Sequence, residues 1–128
     1  MKKGQMDWTA ASDITLGVRL IVKKLNLDYI DCRRIICFRS SGSVSRARAR
    51  IWSFPRIWQQ ALSLPSYYII EVLSQHFDKL SPNDKQRVLI HELLHIPKNF
   101  SGSLVPHRTH YARIDSRRVE GLFKLLKN

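Results

Sequence analysis

Residues 88–110 read VLIHELLHIPKNFSGSLVPHRTH and hold four of the chain's five histidines. Just upstream, Ser81-Pro-Asn-Asp84 has the form of a helix start, with a serine at the cap, a proline at the first helical position and an acid near the free amides. Pro97 disfavours helical geometry at Ile96, so the helix is predicted over residues 82–95. Val88, Leu89, Ile90, Leu93, Leu94 and Ile96 make it apolar nearly all round, which predicts burial. Within it, His91 and His95 are four apart and project from one face, so both imidazoles can reach one ion at about 2.0–2.1 Å. Glu92 is offset by one position and can take a proton from a water on that ion. This is the geometry that H-E-x-x-H chemistry needs. Two histidines and a glutamate in so apolar a helix need a partner, and a metal supplies one for all three. The alternative is a pair of core histidines bonded to backbone.

A catalytic zinc of this type uses three protein ligands and keeps a fourth position for water. The compact extension, with glycine three residues after the second histidine, is absent: Lys98 stands there, and Ser101 three further on. Four candidates for the third ligand remain downstream, namely His107, His110, Asp115 and Glu120. Pro97, Gly102 and Pro106 describe a loop that can fold back over the helix end and deliver His107. Glu120 falls in a last helix whose Val119, Leu122, Phe123 and Leu126 face the core. It can act as a ligand or as a salt-bridging residue beside Arg117 and Lys124. His110 reads as a surface or supporting residue.

Outward from this segment, Ile14, Val18, Ile21, Val22 and Leu25 recur at helical spacing behind a Ser12 or Asp13 cap. Residues 34–39 (RIICFR) read as a strand, with SSGS as the turn after it. RARARIW at residues 46–52 alternates, placing Arg46, Arg48 and Arg50 on one strand face and Ala47, Ala49 and Ile51 on the core face. Trp52, Phe54 and Trp58 serve either as stacking platforms or, beside apolar strands, as core. Pro55 opens a short helix through about Leu62, and YYIIEVL at residues 67–73 is a strong strand. The order predicts an α+β fold, with helices on one side of a small antiparallel or mixed sheet.

At 128 residues and 44% hydrophobic content, one domain is expected. No apolar run reaches membrane-spanning length, and the N-terminal lysines precede no apolar stretch, so a cytoplasmic protein is expected. Cys32 and Cys37 would point to opposite faces of an extended strand, which favours reduced, packed thiols over a disulfide. The 22 Lys and Arg against 10 Asp and Glu give a net charge of +12. That makes a polyanion, nucleic acid foremost, a candidate partner through Arg46, Arg48 and Arg50.

IHELLHIPKNFSGSLVPH, preceded by YYIIEVLSQHFDKLSPNDKQRVL and RARIWSFPRIWQQAL, resembles a metallopeptidase family of archaea and phages of the zincin type. The similarity covers residues 35–125, and H-E-L-L-H-I-P-x-x-F-S-G is its distinctive segment. The resemblance implies a minimal zincin-like fold, Zn2+ held by His91, His95 and His107, Glu92 as general acid/base, and a polypeptide substrate. It also implies that the strand before the active-site helix, residues 67–73, binds extended substrate by edge pairing. An oxyanion partner is required, with Tyr111 or an arginine as candidates. The alternative reading is a basic nucleic-acid-associated protein with structural zinc, or a DNA-associated protease of the SprT-like type.

Overall fold

The run of β-branched and aromatic residues at Tyr68–Leu73 forms the strand on which the others assemble (β4). The computed structural model describes residues 5–110 and 112–128. Three further strands, Asp7–Ala10 (β1), Ile35–Ser41 (β2) and Ala49–Trp52 (β3), complete a mixed sheet in the order β1-β2-β4-β3. β2 runs parallel to β4, while β1 against β2 and β3 against β4 are antiparallel. β4 therefore has a neighbour on each side and no free edge, so the expected edge pairing of substrate to residues 67–73 is corrected. β3 forms one border of the sheet and β1 the other.

Helices Ser12–Lys24 (α1) and Pro82–Leu93 (α4) cover one face of the sheet, and Ser116–Lys127 (α5) packs against α4. Ile14, Val18, Ile21, Leu89, Ile90, Leu93, Val119, Phe123 and Leu126 are buried there against Ile35, Cys37, Tyr68, Ile70 and Val72. The layout is α+β, in the form of a minimal zincin-like fold. Two short helices, Arg56–Leu62 (α2) and Ser74–Phe77 (α3), fill the connections around β4. Among the described residues, no helix is long and apolar enough to cross a membrane.

Several local expectations need correction. α1 starts after Ala11, which has no side-chain acceptor, so neither Ser12 nor Asp13 is the cap; Asp13 lies in the first turn and accepts from the Arg39 guanidinium at both carboxylate oxygens. The Arg46 to Trp52 strand is shorter than its alternation suggested: only Ala49–Trp52 pairs in the sheet, and residues 46–48 precede it. Trp52 and Trp58 are not core, being 47% and 57% exposed: Trp52 lies on the sheet face turned away from α1 and α4, and Trp58 stands on α2. β1 was not anticipated, and its four residues are exposed. Cys32 and Cys37 are free thiols, as expected.

The uncovered sheet face contains one fully buried charge. Glu71 of β4 accepts from Arg50 Nε (2.8 Å) and Nη2 (3.3 Å) and from the Trp52 indole N–H (2.9 Å). Burial alone would push its carboxyl up; the bonds from Arg50 and Trp52 outweigh that and hold it below the ordinary value. Arg50 is thereby committed to the sheet rather than to an open basic stripe.

Candidate metal centre

α4 begins as its sequence indicates: the Ser81 hydroxyl accepts from the Asp84 amide at 3.1 Å, and Pro82 follows it. Its regular part ends at Leu93, two residues short of the expected end. Leu94 stays right-handed, and the amides of His95 and Ile96 donate back to Glu92 and Leu93, tightening the last turn before Pro97. His91 and His95 stay on the same side, their ring centroids 5.2 Å apart.

Residues 96–106 then return to the helix end, held by bonds from distant elements. The Tyr68 hydroxyl donates to the Ser103 carbonyl and accepts from the Gly102 amide, both at 2.8 Å. Gln59 of α2 donates to the carbonyls of Ser101 and Phe54, and the Ser66 hydroxyl to that of Phe100. Gly102 has φ +97°, and a Cβ there would lie 2.3 Å from the Phe54 carbonyl oxygen, so only glycine fits this crossing. The loop closes on His95 twice: the Val105 amide donates to its carbonyl (2.7 Å), and its Nδ1 lies 2.6 Å from the Val105 carbonyl oxygen.

Two residues later His107 meets the helix histidines. Its Nε2 is 3.1 Å from that of His91, and its ring centroid is 4.5 Å from that of His95. One ligand atom from each of the three lies within 4.8 Å of the others. A tetrahedral ion with bonds of about 2.0–2.1 Å separates its donors by about 3.3 Å, so these imidazoles fit one with small adjustments. The donor chemistry agrees. A carbonyl can only accept, so His95 Nδ1 carries the proton and its Nε2 keeps the lone pair. Burial, reinforced by the neighbouring histidines, lowers the proton affinity of His91; burial likewise lowers that of His95, and both favour the neutral, ligating form.

Glu92 is 7% exposed, with Oε2 4.0 Å from His91 Nε2. Burial pushes its carboxyl up to about 7, where it exchanges a proton near neutrality. No lysine or arginine pairs with it among the described residues. Beside it opens a cleft of about 640 Å³, bounded by α4, α5 and the chain leading into β3.

The other candidate ligands serve elsewhere. Glu120 pairs with Arg87 of α4 (2.9 and 3.3 Å), not with the anticipated Arg117 or Lys124. Asp115 caps α5 by accepting from the Arg118 amide. His110 lies outside the three-histidine cluster, and Tyr111 lies outside the described residues. Tyr68, Gln59, Ser66 and Val105, which shape the loop, were not singled out from the sequence. Their bonds span up to 42 positions along the chain, whereas the local signals for the loop were Pro97, Gly102 and Pro106.

In comparison with known proteins, a family model described as "Putative phage metallopeptidase" matches residues 6–124. No curated protein and no solved structure matches the chain.

Proposed function

We propose that this chain, which belongs to that phage metallopeptidase family, hydrolyses peptide bonds with zinc held by His91, His95 and His107. The observation that carries the reading is the convergence of three imidazole nitrogens beside a buried carboxylate that pairs with no lysine or arginine among the described residues. All-nitrogen donors argue for a borderline metal and against magnesium or calcium, which take oxygen ligands. Zinc bound there supplies Lewis acidity, lowering the pKa of water and polarising the scissile carbonyl.

The chain's own residues supply the rest. Glu92 is the general base: its carboxylate takes the proton from the attacking water and returns it to the departing amine nitrogen. Val105 holds His95 in the tautomer that leaves Nε2 available, and the loop fixed by Tyr68 presents His107. The outer border of β3, whose first residue Ala49 lines the cleft, is the edge on which an extended peptide can pair.

The test is Glu92→Gln. Bound zinc should stay near one per chain, while hydrolysis of an unfolded protein such as reduced casein should fall by about 10²–10⁴-fold. Retained hydrolysis in this variant would remove the role given to Glu92.

A further inference from the structure

Of the three arginines in RARAR, Arg50 is neutralised by Glu71, which leaves Arg46 and Arg48 to be explained. Both line the cleft that holds His91 and Glu92, both are exposed, and neither makes an ion pair among the described residues. Arg87, across the cleft, is occupied by Glu120 and Asp84. One wall therefore carries two uncompensated guanidiniums, and the other a triad with one net negative charge.

The arginines do not hang from a loose loop. The Ser43 carbonyl accepts from Gln75, the Ser45 carbonyl lies 3.1 Å from His76 Nε2, and the Arg48 carbonyl accepts from the Leu73 amide. Seryl hydroxyls of Ser43 and Ser45 also take the amides of Ser45 and Ala47. This anchoring fixes the backbone beside the mouth of the site, and the small Ala47 and Ala49 leave room for a chain to lie along it.

We infer that the cleft selects polypeptides carrying aspartate or glutamate next to the bond to be cut, with Arg46 and Arg48 receiving the acidic side chain. The inference rests on the peptidase reading and names its substrate class. A guanidinium presents paired donors that match a carboxylate, and the cleft concentrates their field, so a glutamine gains less and a lysine is repelled.

The test is binding, so it does not depend on turnover. The full chain carrying Glu92→Gln is titrated at about 0.15 M salt into three fluorescein-labelled decapeptides, identical except for a central pair of glutamates, glutamines or lysines. The Glu peptide should bind about tenfold more tightly than the Gln peptide, with the Lys peptide weakest. Adding Arg46→Ala and Arg48→Ala should bring the Glu and Gln peptides together. Adding Lys23→Ala and Lys79→Ala, which removes the same charge away from the cleft, should leave their ratio intact. A Glu-to-Gln ratio near one, its survival in the arginine variant, or its equal loss in the lysine variant would each overturn the inference. So would a short single-stranded DNA that binds more tightly than the Glu peptide and is lost in the arginine variant, which would assign the pair to nucleic acid. An arginine-dependent ratio together with no casein hydrolysis by the zinc-loaded wild type would remove the peptidase reading alone; casein hydrolysis by wild type without the ratio in the Glu92→Gln chain would remove this inference alone.

Discussion

Glu71 and Glu92 are both withdrawn from water, the first against an arginine and an indole, the second with no lysine or arginine paired to it among the described residues. Their proton affinities move in opposite directions for that reason: the Glu71 carboxyl is held below its ordinary value, and that of Glu92 is pushed up to about 7. A lowered folded value means that Glu71 contributes stability above its unfolded value and loses it as pH falls through the lower folded one. Urea midpoints of wild type and Glu71→Gln should therefore differ at pH 7 and converge at acid pH; a gap constant with pH would contradict this. Arg50→Ala leaves the buried carboxylate unpaired and should cost about 3 kcal/mol by urea unfolding at pH 7. Glu92 was legible in the sequence because H-E-x-x-H is a local pattern. Glu71 was not, since its partners Arg50 and Trp52 stand 21 and 19 positions away and the surrounding run reads only as a strand.

Among the elements, α4 was the most legible. Ser81, Pro82 and Pro97 mark its boundaries by chemistry acting within one turn, and the error of two residues arose because the last turn tightens without turning its histidines away. Strands were harder: β1 has no alternation between buried and exposed faces, and the arginine alternation at residues 46–52 outran the pairing with β4. The loop between His95 and His107 depends on tertiary bonds, chiefly those of Tyr68. Tyr68→Phe removes both and should lower stability by about 1–3 kcal/mol. It should also speed zinc release to a chelator, because His107 is then held less firmly. Release at the wild-type rate would show that the loop holds its course without this hydroxyl.

For the whole molecule, hydrophobic periodicity located most of the helix-covered core, since α1 and α5 each show one apolar face and the second half of α4 is apolar nearly all round. It could not tell that the opposite sheet face would stay uncovered, leaving Trp8, Ile36 and Trp52 partly exposed, because local sequence does not record what packs on a strand. The net charge of +12 implies self-repulsion in the folded state. The melting temperature should rise as salt increases to about 0.3 M, where the Debye length is a few ångströms; a fall would mean that the surface ion pairs outweigh the repulsion. The fold brings the three histidines together from two elements, α4 and the loop that follows it, and metal content reports whether they hold an ion. Protein purified without added metal, as wild type, His107→Ala and His110→Ala, should carry one zinc per chain in the first and third and little in the second. Equal zinc in His107→Ala and wild type, or no zinc bound by wild type even when it is supplied, would contradict the three-histidine centre.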